Sequence, residues 1–199
     1  RTFNVATLND TLDEDPETFA MTLTFATNAN LSPNQPTTAF AQINDNDNPP
    51  SVKISDCVVV EGNIGQVACD LTVGLFNGAV PATSGKTIGV DYLVSDGTAT
   101  VADSDYVPES TSGTLAFTPG KQSLVVRVFA VGDANVEGHE AFNVALSNLL
   151  NLCTTSCAHD LNGVGTIQND DGPTISMADV TVTEPPNTGG TVNAVYTLT

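Results

Sequence analysis

Apolar and polar residues alternate along most of this chain. Between residues 65 and 75 the apolar set is Val67, Cys69, Leu71 and Val73, with polar or small residues between them, the two-residue period of a half-buried strand. The same period marks 1–8 (Phe3, Val5, Thr7), 18–26, a short stretch ending at Ile43, and 51–60 with a break near Ser55 and Asp56. It continues through 86–95, 113–118, 122–133 (Val126, Val128, Ala130), 140–149 (Phe142, Val144, Leu146) and 163–171. Turn signals separate these runs: EGNIG at 61–65, Asp96-Gly97 and Pro119-Gly120. In NDNDNPP at 44–50 the prolines cannot donate to a ladder, so a sheet should end there. Helical periodicity is nearly absent. Residues 50 to 172 thus predict an all-β unit of about seven strands folded as an antiparallel β-sandwich, large enough to bury its own core.

The pattern also repeats. Asp10, Glu14, Glu17, Phe19, Met21 and Leu23 precede Asp133, Glu137, Glu140, Phe142, Val144 and Leu146 at one constant offset of 123 positions. Glu61 precedes Glu184 by the same 123, while Ile43 and Asp47 precede Ile167 and Asp171 by 124. A repeat of this length is a whole domain. The expected organisation is the second half of one repeat at 1–49, a complete repeat at 50–172 and the opening strands of another at 173–199. The chain reads as a window on a longer tandem array whose first partners are its neighbouring repeats. Self-association into fibres by strand donation is the weaker reading, because counterparts of residues 76–123 appear in neither flank.

Charge narrows the function. The chain carries 23 acidic and 5 basic residues, a net charge of −18, which excludes a phosphate-seeking surface and with it nucleic acid. Such a balance suits a cation ligand or a salt-adapted surface. No run of about 18 apolar residues marks a membrane segment in this window, and any targeting or anchoring segment is expected outside it. The four cysteines form two close pairs. A hairpin turning at Asn63 would set Cys57 opposite Cys69, near disulfide reach, and Cys153 and Cys157 lie in a short CTTSC loop. Two disulfides in an oxidising, extracytoplasmic setting are one reading, small buried or free thiols the other. Zinc fits poorly, since His159 alone is near either pair.

The acids fall at strand ends and connections: Glu61 ends one strand, Asp105 lies in a loop, Asp133, Glu137 and Glu140 occupy one inter-strand turn, and Asp170 and Asp171 terminate the last strand. Gathered at one end of a sandwich and packed about 4 to 5 Å apart, each pair would repel by roughly 3 to 4 kcal/mol at an effective dielectric near 20. A hard divalent cation resolves this. Calcium takes six to eight oxygens and tolerates irregular geometry, whereas magnesium demands strict octahedra. Seven carboxylates exceed the needs of one ion, so several calcium ions sharing bridging carboxylates are expected. The first repeat offers the corresponding Asp10, Glu14, Glu17, Asp45 and Asp47. The alternative is that acidic loops merely solvate the surface.

DGTATVADSDY, GTLAFTPGK, GDANVEGHEAFNVALSN and GTIQNDD, in that order, resemble the Calx-beta domain of sodium-calcium exchangers, integrin beta-4 and large bacterial surface proteins. The resemblance covers the middle unit and part of both flanks. It implies an immunoglobulin-like β-sandwich with a calcium cluster at the end near its C-terminus. The ligands carried over by motif are Glu61, Asp105, Asp133, Glu137, Glu140, Asp170 and Asp171. The chain departs from the family pattern at Asp103, where glycine is common, and at Asn169 and Asn46, where the acidic closing runs lack a charge.

The resulting expectation is a calcium-binding structural module of a large extracellular adhesin, fibre or surface protein, with calcium stiffening the junctions between repeats. A regulatory calcium sensor of the exchanger type is the alternative. An enzyme is not expected, since His139 and His159 are the only histidines and neither sits in a nucleophile elbow or an HExxH motif. His139 reads as a solvent-facing spacer between two ligands.

Overall fold

In a computed structural model, residues 2–155, 157–173, 175–184, 186 and 189–199 are described. The strands are β1 (Glu17–Thr22), β2 (Thr38–Ile43), β3 (Ser51–Ile54), β4 (Cys57–Val60), β5 (Gly65–Asn77) and β6 (Val80–Pro81). They continue as β7 (Ile88–Ser95), β8 (Tyr106–Pro108), β9 (Ser112–Phe117), β10 (Ser123–Gly132), β11 (Glu140–Leu150) and β12 (Asn162–Gln168).

The middle of the chain is a two-sheet sandwich. One sheet runs β3-β5-β10-β8 with β6 on β5, and the other β4-β12-β11-β7-β9. The alternation seen in sequence is the burial pattern: Leu71 and Val73 from β5, Val126 and Val128 from β10, and Phe142, Val144 and Leu146 from β11 are all buried between the sheets. Each such side chain contributes roughly 1.5 to 3 kcal/mol relative to exposure. The unit holds ten strands, more than the seven expected. Alternation needs several residues to show itself, and β6 and β8 have two and three. The break at Ser55 and Asp56 divides one extended run into β3 and β4, which join different sheets.

That switch corrects two expectations. The β4–β12 pairing is parallel, so the sandwich is not antiparallel throughout. Cys57 and Cys69 form a disulfide with Cα atoms 5.7 Å apart, but not across a hairpin. Cys57 pairs with Gly165 in one sheet and Cys69 with Val128 in the other, so the bond staples the sheets together. Cys153 and Cys157 form the second disulfide, and the Cys153 N–H donates to the Pro50 carbonyl at 3.0 Å, tying that loop to the start of the unit.

Ahead of the sandwich, β1 and β2 pair antiparallel from Glu17↔Ile43 to Thr22↔Thr38. The same register recurs in the sandwich, where β11 and β12 begin at Glu140↔Ile167. No strand forms over the described residues of 1–8, contrary to the sequence pattern. Their counterpart β10 pairs with β5 and β8, whereas among the described residues no strand pairs with residues 2–8. Among the described residues after 172 the expected opening strands reduce to one bridge, Met177↔Leu198, and residues 174, 185, 187 and 188 of that segment lie outside the described set.

Candidate metal centre

Because β4 and β12 run parallel, both deliver their C-terminal ends to one pole of the sandwich. Glu61 follows β4, and Asp170 and Asp171 follow β12. Carboxylate oxygens of these three residues lie within 4.8 Å of one another. Backbone and side-chain donors fix them: the Gly62 N–H donates to Asp170 Oδ1 at 3.0 Å, the Asn63 amide donates to Asp171, and the Asp171 N–H donates to Asn169 Oδ1 at 2.7 Å.

Asp105, Glu137 and Glu140 form a second group within the same 4.8 Å limit. Asp105 sits where the loop after β7 enters β8, and the loop is folded by its own acids. The Thr100 N–H donates to Asp105 Oδ2 at 2.7 Å, the Thr100 hydroxyl to Asp103 Oδ2 at 2.9 Å and the Val101 N–H to Asp96 Oδ1 at 3.1 Å. Next to Asp105, Tyr106 is buried with its ring stacked on Phe142, centroids 4.9 Å apart, and its hydroxyl reaches Asp96.

Asp133 stands between the groups, at the end of β10. Its two oxygens accept from the Asn135 N–H and side-chain amide at 2.7 and 2.8 Å, and its charge acts on both Glu61 and Glu137. All seven carboxylates expected from sequence therefore meet at one pole.

Their proximity is unfavourable as the residues stand. At 4.8 Å two carboxylates repel by about 3 to 4 kcal/mol at an effective dielectric near 20. Burial first, then the charges of Asp133, Glu137, Asp171 and Asp170, raises the Glu61 carboxyl above its usual range. Burial and Asp133 do the same to Glu137, and Glu140 is pushed up to about 7 by burial, a hydrogen bond to Asp105 and the neighbouring charges. Glu61 is buried, yet its Oε1 has no hydrogen-bond partner, and neither has Asp171 Oδ2. Orphaned buried oxygens among converging carboxylates match an all-oxygen donor set for a hard divalent cation.

Ahead of the sandwich, Asp10, Glu14, Glu17, Asp45 and Asp47 line one open cleft of about 470 Å³. Asp45 Oδ2 accepts the Glu14 N–H at 2.9 Å. That bond holds the Asp45 carboxyl below its usual range, whereas burial and like charge raise Glu14 and Asp47. Among the described residues, the two groups converging within 4.8 Å both lie in the middle unit.

The profile of the Calx-beta domain matches residues 1–47 and 51–161. The chain belongs to the Calx-beta domain family. Over 150 residues it is 32% identical to the adhesion G-protein coupled receptor V1 of Danio rerio, covering 72% of this chain and 2% of that protein. The chain thus spans a small fraction of that relative's length. Solved structures similar to it include the calcium binding domain CBD12 of CALX1.1, at 23% identity and TM-score 0.48 over 64% of this chain and 50% of that one. The apo-form Calx CBD1 domain matches at 22% identity and TM-score 0.43, over 61% and 99%.

Several residues that hold this Calx-beta pole together were not legible in the sequence. His139 is exposed, as expected, but its Nδ1 accepts the Asn169 N–H at 3.2 Å while the Asn169 amide donates to the Glu137 carbonyl at 2.7 Å. These bonds lash the acidic turn to the closing run, giving the uncharged Asn169 a role. Gly132 is a second case, since a Cβ there would stand 2.6 Å from the Glu61 carbonyl oxygen. Its neighbour Asp133 marks the turn in sequence, but nothing local announces that Glu61, far away in the chain, packs against it.

Proposed function

We propose that this chain is a calcium-binding segment of a tandem Calx-beta array, with repeats at 1–49, 50–172 and from 173 onward, serving as a structural module of a large extracellular surface or adhesive protein. The observation that carries the reading is Glu61, a buried carboxylate with an unpartnered oxygen that converges with Asp170 and Asp171. Glu61, Asp170 and Asp171 would hold one ion and Asp105, Glu137 and Glu140 another, with Asp133 between. Bound calcium would supply the positive charge that lets these acids remain ionised together. In the first repeat Asp10, Glu14, Glu17, Asp45 and Asp47 would hold calcium in the same way.

The two disulfides favour an oxidising compartment over the cytosol. The likeness to an adhesion receptor supports the adhesive context. Asp47 and Asp171 stand just ahead of Pro49-Pro50 and Pro173, so calcium at either pole would stiffen the junction with the next repeat. The chain acts on this reading as a binding and spacing element rather than as an enzyme.

Calorimetric titration of the full chain with calcium is the test, with Glu61→Gln and Glu137→Gln as variants. Saturable binding that either variant weakens at least tenfold, equivalent to about 1.4 kcal/mol, supports the reading. Unchanged binding in both removes the middle pole as the site.

A further inference from the structure

We propose that Ser84, Gly85 and Lys86 of the middle repeat form a receptor for the acidic turn of the repeat before it, and that the turn position held by Asp13 decides which receptor a turn fits. This rests on the proposed reading of the two Calx-beta matches as successive repeats, though not on calcium.

Asp13 lies among the candidate ligands of the first turn, but its side chain is bonded to Ser84 and Lys86. It is 3% exposed. Its Oδ1 accepts from Lys86 Nζ at 2.8 Å and its Oδ2 from the Ser84 hydroxyl at 3.1 Å. Its carbonyl accepts from the Gly85 N–H at 2.9 Å, and the backbones form a parallel bridge at Asp13↔Ser84. The other side is built to receive it. Ser84 is buried, its carbonyl is held by the Gly120 N–H at 2.9 Å and its hydroxyl accepts the Lys86 N–H at 3.0 Å. Gly85 is required by closeness, because a Cβ there would stand 2.7 Å from Glu14 Cγ and 3.3 Å from the Asp13 carbonyl oxygen. Asp15 adds a weaker approach to Lys86 at 3.8 Å.

The two turns of this chain differ at this place. Glu14 and Glu17 of the first match Glu137 and Glu140 of the second, but Asp13 matches Val136, which is 60% exposed. The carboxylates facing the pole are kept while the residue facing the neighbour changes. A turn bearing valine would take the 2.8 Å carboxylate partner from the Lys86 ammonium and the side-chain acceptor from the Ser84 hydroxyl, which would keep only the backbone carbonyl at 3.2 Å, and removing one partner of a largely buried ion pair costs stability. Ser84–Lys86 therefore accepts a carboxylate-bearing turn and rejects one like the second. The order of repeats is written in a turn residue whose carboxylate is taken up by the neighbouring unit.

The lysines Lys53, Lys86 and Lys121 permit a direct test by trace acylation of the full chain in calcium, read residue by residue by mass spectrometry. Lys121 is the exposed reference. In the native chain Lys86 should label at least tenfold more slowly than Lys121, and Asp13→Val, which installs the second turn's residue, should remove most of that protection. Exchanging the charges, Asp13→Lys with Lys86→Asp, should restore protection to the lysine introduced at position 13. Equal labelling of Lys86 and Lys121 in the native chain, or protection that persists in Asp13→Val, overturns the proposal. Calcium titration of the same samples separates the two readings. Protection lost in Asp13→Val while the native chain binds no calcium upholds the receptor and sinks the metal reading, and calcium binding without protection does the reverse.

Discussion

The Tyr106 hydroxyl donates to Asp96 Oδ1 at 2.7 Å. The ring lies beneath the loop that carries Asp105, so a core residue and an acid at the loop's start jointly set where that ligand candidate stands. Burial and the Asp96 bond push the Tyr106 hydroxyl well above its ordinary range, keeping it a donor at any physiological pH. Tyr106→Phe keeps the stacking on Phe142 and removes one bond. Denaturant unfolding should show a loss of about 1 kcal/mol, and calorimetry a several-fold weaker calcium affinity as the loop loosens.

Calcium-free protein should lose stability as pH rises. The Glu140 carboxyl is pushed up to about 7 from an ordinary 4.5, so between those values the native state keeps a proton that the unfolded chain has released. The native state then binds more protons, and unfolding free energy falls as pH climbs through that window. Glu61 and Glu137 shift in the same direction. Thermal melts in chelator should show a midpoint falling from about pH 5 to 8, with a shallower slope in Glu140→Gln. In saturating calcium the fall should vanish, since ligation requires the ionised form.

Gly132→Ala should act at a distance from its own backbone. The added methyl would meet the carbonyls of Glu61 and Gly62, and relieving such a clash costs about 1 to 3 kcal/mol. The movement has to displace either Glu61 or Asp133. The expected signature is a lower melting temperature together with weakened calcium binding, whereas a core substitution such as Val144→Ala should lower melting temperature alone.

Reduction of the Cys57–Cys69 bond should destabilise the sandwich by about 3 kcal/mol on loop-closure grounds. The loop it closes contains Glu61, Gly62 and Asn63, so calcium affinity should fall as well. Cys57→Ser with Cys69→Ser, measured by melting and calorimetry with and without calcium, separates the two losses.

The long strands of the sandwich were legible because one face of each is dry: β5, β10 and β11 alternate in sequence as they do in burial. The carboxylate pole was legible through the constant offset between the two copies. Pairing partners were not. The period-2 pattern of Cys57 and Cys69 is compatible with one hairpin or with two facing sheets, and only the interruption at Ser55 and Asp56 hints that the chain changes sheet. Here the Ser55 hydroxyl accepts the Thr72 N–H and Asp56 accepts the Val164 N–H, so the break is stitched to both sheets. Residues 2–8 alternate without forming a strand because alternation describes a surface to be covered, and among the described residues no strand pairs with them. Asp13 and Lys86 were hidden for a different reason: their meeting depends on how the segment ahead of the sandwich sits against it.

The parallel ladder between β4 and β12 has a mechanical consequence. A pull applied to the two ends of the repeat draws these strands past each other lengthwise, so their hydrogen bonds share the load and yield together instead of unzipping in turn. Behind them the Cys57–Cys69 bond arrests any segment that slips. The seam that would bear tension is thus the same one that carries Glu61, Asp170 and Asp171 to a single end of the sandwich.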